Sequence, residues 1–176
     1  MQERNKLWAL MGFAVTALLG TLLHFLYEWL GEAAWIAPFS AVNESTWEHM
    51  KLLYWPMLLF AVIQFAAGGV GRTFWCVALR GMLRGLAAIP LLFYTFNGVI
   101  GPSSAFWNIA IFFIAAAIAY RYEAKQLSRA DLSCRASRLA LLCLVAIGFL
   151  FLLFTFATPH LAIFRDPLTG HCGRIT

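Results

Sequence analysis

Apolar residues run almost unbroken from 7 to 30, and the pattern returns over 45–67, 73–96, 106–122 and 139–158, with polar side chains rare inside each stretch. Stretches of about 20 apolar residues are long enough for an α-helix to cross about 30 Å of hydrocarbon. The alternating segments of about ten residues that mark a membrane β-barrel are not found. The predicted fold is therefore all-α: one domain over residues 1–176, a polytopic bundle of five transmembrane helices, with a polar tail at 159–176.

What interrupts the stretches refines this picture. The leader MQERNK is basic, but the apolar run behind it is longer than a signal-peptide core and no A-x-A site follows, so it reads as a retained helix. Pro56 and Pro90 fall inside apolar stretches, where each is expected to free a carbonyl and bend its helix. NGVIGPSSAF at 97–106 reads as an uncharged turn, and YRYEAKQLSRADLSCRASR as a basic loop. The tail TPHLAIFRDPLTGHCGRIT carries Asp-Pro and Thr-Gly pairs, which predict successive turns folding back over the mouth of the bundle.

Composition agrees with membrane residence. The chain is 62% hydrophobic and only 12% charged, with a mean hydropathy of +0.77. A soluble domain carries roughly a quarter charged residues. Placing the N-terminus in the cytoplasm gathers Arg4, Lys6, Arg72, Arg121, Lys125, Arg129, Arg135 and Arg138 on the inner side, and leaves Lys51, Arg165 and Arg174 outside. That bias fits the positive-inside rule and predicts an outer C-terminus. The net charge of +5 then points to anionic lipid at the inner surface and not to nucleic acid. The expected location is a multi-pass protein of a prokaryotic cytoplasmic membrane. The four cysteines form no C-x-x-C pair, and no disulfide is expected.

The same topology sorts the chemistry. All four histidines (His24, His49, His160, His171) and most acids (Glu28, Glu32, Glu44, Glu48, Asp166) fall on the outer side. His24 and Glu28 are spaced i, i+4 and share a helix face. His24 lies about 9–10 Å inward of the helix end, where an ionisable group facing lipid is costly, so it should face a polar cavity. In VNESTWEHMK, Ser45 and Glu48 form a capping box, which accounts for part of the polarity but not for His49 or Lys51. His24, Glu28, Glu48 and His49 are therefore the candidate catalytic residues, with His24, His49 and Glu28 as ligands of a divalent metal such as zinc. Asn43, Lys51, Tyr94, Asn97 and Asp166 are the candidate substrate contacts, with Ser103, Ser104 and Asn108 adding polar groups at the same level. Arg80 and Arg84 stand apart on the inner half, beside Gly81-x-x-x-Gly85, a pattern that permits close helix contact.

The segments NESTWEHMK at 43–51, FYTFNGVIG at 93–101 and FRDPLTGHCG at 164–173 resemble an uncharacterised family of small multi-pass prokaryotic membrane proteins with an N-E-S-x-W-E-H-x-K motif. The resemblance implies a fold and motif positions; it implies no substrate. The pattern of residues leaves three functions open. The first is a membrane-embedded hydrolase or transferase acting on a lipid or lipid-linked group in the outer leaflet. The second is a small ion- or proton-coupled transporter, working as a homo-oligomer with His24 and Glu28 as its coupling site. The third is an accessory subunit of a membrane complex.

Overall fold

The computed structural model describes residues 2–68, 70–99, 101, 105–129, 134 and 136–174, and these form an all-α structure. The helices are α1 (Gln2–Trp29), α2 (Thr46–Ala66), α3 (Phe74–Val99), α4 (Ala105–Leu127) and α5 (Ser137–Phe156), followed by a 3-10 turn at Ala162–Phe164. By length and composition α1, α2, α3 and α5 are able to cross a membrane. α4 is 23 residues long but ends in the polar run RYEAKQL. Ser103, Ser104, Asp131 and Arg135 lie outside the described residues.

α2 touches all four other helices, and its sequence explains why. Apolar side chains lie on all its faces, so it can pack against several neighbours while Leu59, Val62, Ile63 and Phe65 remain exposed. Leu52, Leu53, Tyr54, Met57 and Phe60 are its core contribution. Pro56 and Pro90 lie inside α2 and α3, and both helices run on through them.

Packing explains several polar positions. Thr16 of α1 bonds Tyr120 of α4 at 2.8 Å, in a site where neither hydroxyl reaches water. Gly81 and Gly85 pack inside the bundle: a Cβ at Gly81 would strike Glu123 of α4, and one at Gly85 would meet Leu53 of α2 and Ala119 of α4. Tyr54 donates to the Leu144 carbonyl of α5 at 2.6 Å. Because that bond is buried between helices, Tyr54→Phe is expected to destabilise the bundle by about 1 kcal/mol, measured as unfolding in detergent; an unchanged midpoint would mean the hydroxyl is dispensable.

The cysteines correct the sequence reading. Cys76 at the start of α3 and Cys134 beyond α4 are disulfide-bonded, with Cα atoms 6.5 Å apart and a sequence separation of 58. The antiparallel packing of α3 on α4 brings them together, and spacing along the chain carries no sign of it. Arg84, also on this side, donates to the Arg80 carbonyl at 2.9 Å and stacks its guanidinium 3.7 Å from the Tyr122 ring centroid.

Candidate functional site: a His–Glu–His cluster above an apolar groove

The site begins with the turn that starts α2. Asn43 accepts the Ser45 amide at 2.9 Å, closing an Asx turn. Ser45 caps α2 with extended backbone angles (φ −69°, ψ 155°), its hydroxyl accepting from the Glu48 amide. This geometry leaves Glu44, between the two capping residues, facing the gap between α1 and the first turn of α2. There it meets two imidazoles. The Glu44 carboxylate oxygens lie 3.4 Å from His24 Nε2 and 3.7 Å from His49 Nε2.

A ligating atom from each of His24, Glu44 and His49 lies within 4.8 Å of the other two. The imidazole rings are 5.7 Å apart. His49 Nδ1 sits 3.0 Å from the Ser45 carbonyl. A carbonyl only accepts, so Nδ1 carries the proton of that bond and Nε2 presents its lone pair to the cluster. Metal-binding histidines are commonly oriented in this way, the second ring nitrogen donating to a carbonyl or carboxylate.

Below the cluster is a groove of about 910 Å³. α1 contributes Gly20, Thr21 and Phe25, α3 contributes Phe93, Tyr94 and Asn97, and α4 contributes Asn108, Ile109, Phe112 and Phe113. Pro167 and Leu168 of the tail complete its rim. The tail is held there from several directions. Phe164 packs on Trp47, with ring centroids 4.6 Å apart. Asn43 Nδ2 donates to the Gly173 carbonyl at 2.9 Å, and Arg174 Nε to the Tyr27 hydroxyl at 3.0 Å.

Not every sequence candidate joins this assembly. Tyr94 and Asn97 line the groove. Glu28, expected as the third ligand, is exposed and is not a member of the cluster; Glu44 stands with the two histidines. Glu48 and Lys51, expected in chemistry and substrate contact, instead face each other in the interior at 2.5 Å, with side chains 4% and 0% exposed. Glu48 also accepts the Val42 amide at 3.0 Å, while Lys51 donates to the Ala37 carbonyl at 2.7 Å and to Thr155 at 3.3 Å. The pair thus ties the loop before α2 to α5, and so fixes the turn that carries Glu44. Asp166 is buried and accepts the Leu168 and Thr169 amides, which makes it a turn former in the tail. His160 and His171 are exposed and outside the cluster.

Glu44 is the residue that sequence reasoning passed over. Its only signal is its place in NESTWEH, five residues before His49 and flanked by two capping residues. Helical periodicity says nothing about a side chain in the turn ahead of the helix.

No curated protein and no solved structure matches the chain. A match to the family of unknown function DUF6512 extends over residues 1–174, and the chain belongs to that family.

Proposed function

We propose that this protein is a membrane-embedded hydrolase or transferase that acts on a lipid or lipid-linked group, with a divalent cation such as zinc held by His24, Glu44 and His49. In this reading α4 is the fifth span, the N-terminus is cytoplasmic, and the cluster faces the outer leaflet of a prokaryotic cytoplasmic membrane. The distribution of basic residues supports that orientation.

One observation carries the reading: His24 of α1 converges with Glu44 and His49 of the segment that starts α2, at the polar end of an apolar groove. Two imidazoles and a carboxylate are a donor set that suits zinc, and three protein ligands leave a position for substrate. A cation there would supply Lewis-acid polarisation of a carbonyl or phosphoryl oxygen. The chain's own part is to orient the ligands. Ser45 fixes the His49 ring, and the Glu48–Lys51 pair fixes the turn bearing Glu44.

Elemental analysis of protein purified in mild detergent tests this directly. About one zinc per chain is expected, together with conversion of a vesicle lipid that chelation abolishes and zinc restores. Metal-free protein with full lipid-converting activity would overturn the metal assignment.

A coupled transporter is the second reading, favoured by a different observation. Glu123 of α4 is a buried carboxylate packed against Gly81, in the half of the bundle away from the cluster. Proton-coupled uptake into proteoliposomes, lost in Glu123→Gln with zinc content unchanged, would place this reading first.

A further inference from the structure

The groove has a floor and a side opening, and together they restrict what part of a substrate it holds. At Gly20 the helices close on one another: a Cβ there would strike the Phe112 ring and approach the Leu52 carbonyl. Gly20 is one turn before His24 on α1, so the floor lies only about 6 Å below the cluster. The walls are largely aromatic and aliphatic (Leu52, Phe93, Phe112, Phe113), with Asn97 and Asn108 adding polar groups to the lining. Phe25 and Ile109, on the groove's flanks, are 42% and 57% exposed. In a bilayer that exposure is to acyl chains. The tail residues Pro167 and Leu168 also line the groove.

We propose that the groove seats the head-proximal carbons of one acyl chain of a lipid from the adjoining leaflet, admitted sideways past Phe25 and Ile109, with the linkage next to the headgroup level with His24, Glu44 and His49. This rests on the reading of that cluster as the reactive centre. The floor at Gly20, one turn below the cluster, turns the chain toward the side opening, so its distal carbons stay in the bilayer. A chain moved from lipid hydrocarbon into an apolar groove gains little hydrophobic free energy, since both surroundings are equally apolar. The groove therefore orients the chain, and selection falls on the head and linkage. Acyl length is predicted to have little influence.

Photolabelling of the full-length, zinc-loaded protein in phosphatidylglycerol–phosphatidylcholine vesicles tests the seat. Two phospholipid probes are used, one with a diazirine near the ester linkage and one with it at the chain terminus. The head-proximal probe is expected to label Leu52, Phe112 or Phe113 in preference to the terminal probe. Ile109→Trp, on an exposed position, is expected to cut that labelling by about tenfold while leaving zinc content unchanged, since the indole overfills the side opening. Equal labelling by both probes, labelling of the floor by the terminal probe, or indifference to Ile109→Trp would each overturn the proposal. Zinc-free protein with the expected labelling pattern would retain the lipid seat and refute the metal centre; zinc-bound protein with no labelling would do the reverse.

Discussion

Lys51→Met is expected to be the most damaging single substitution in the chain, costing about 3–5 kcal/mol, because it leaves the Glu48 carboxylate in the interior without its cation. The ammonium is fully buried, 2.5 Å from Glu48, and it also serves the Ala37 carbonyl and Thr155. Methionine fills the space and answers none of these. The double variant Glu48→Gln/Lys51→Met removes both charges and is expected to recover most of the loss, since replacing a buried pair together is far cheaper than breaking it. Unfolding in mixed micelles, followed by tryptophan fluorescence, measures both variants. A Lys51→Met protein of normal stability that fails to bind lipid would instead make Lys51 a substrate contact and refute its structural role.

The second large effect concerns the proposed zinc site. Glu44→Ala is expected to weaken zinc binding by at least about 100-fold, beyond the 10–100-fold that follows loss of an outer-shell partner. Glu28→Ala is expected to leave it nearly unchanged. The contrast is sharp because both acids lie close to His24, one a single turn along α1 and the other across the helix–loop boundary. Only Glu44 places its oxygens between the two histidines. Competition titration with a chromogenic chelator gives both affinities. Equal losses in the two variants would mean the carboxylates act through charge alone; loss confined to Glu28→Ala would put the third ligand on α1.

The helices were legible because the bilayer is an exacting solvent. A chain segment crossing it must satisfy its own backbone and present apolar side chains, and both demands leave marks on consecutive residues. Hence the apolar stretches at 7–30, 45–67, 73–96 and 139–158 correspond to helices α1, α2, α3 and α5, each long and apolar enough to cross. The histidine half of the cluster was legible for a related reason. An imidazole as deep as His24 needs a polar surrounding, and one at the head of α2 needs more than capping to explain it. The acids were harder. Glu28, Glu44 and Glu48 are alike in residue type and all stand near helix ends, yet one is exposed, one faces the imidazoles and one is locked to Lys51.

Sequence by itself thus determined the all-α class, the membrane-compatible helices and the presence of His24 and His49 on one side, since each follows from local hydropathy and spacing. Tertiary structure alone decided that Glu44 joins them, that Glu48 and Lys51 neutralise each other in the interior, and that Cys76 meets Cys134. Those outcomes depend on where a turn aims a side chain and on which helices lie antiparallel. Both are set by the packing of residues far apart in the chain, and no window along the sequence contains them.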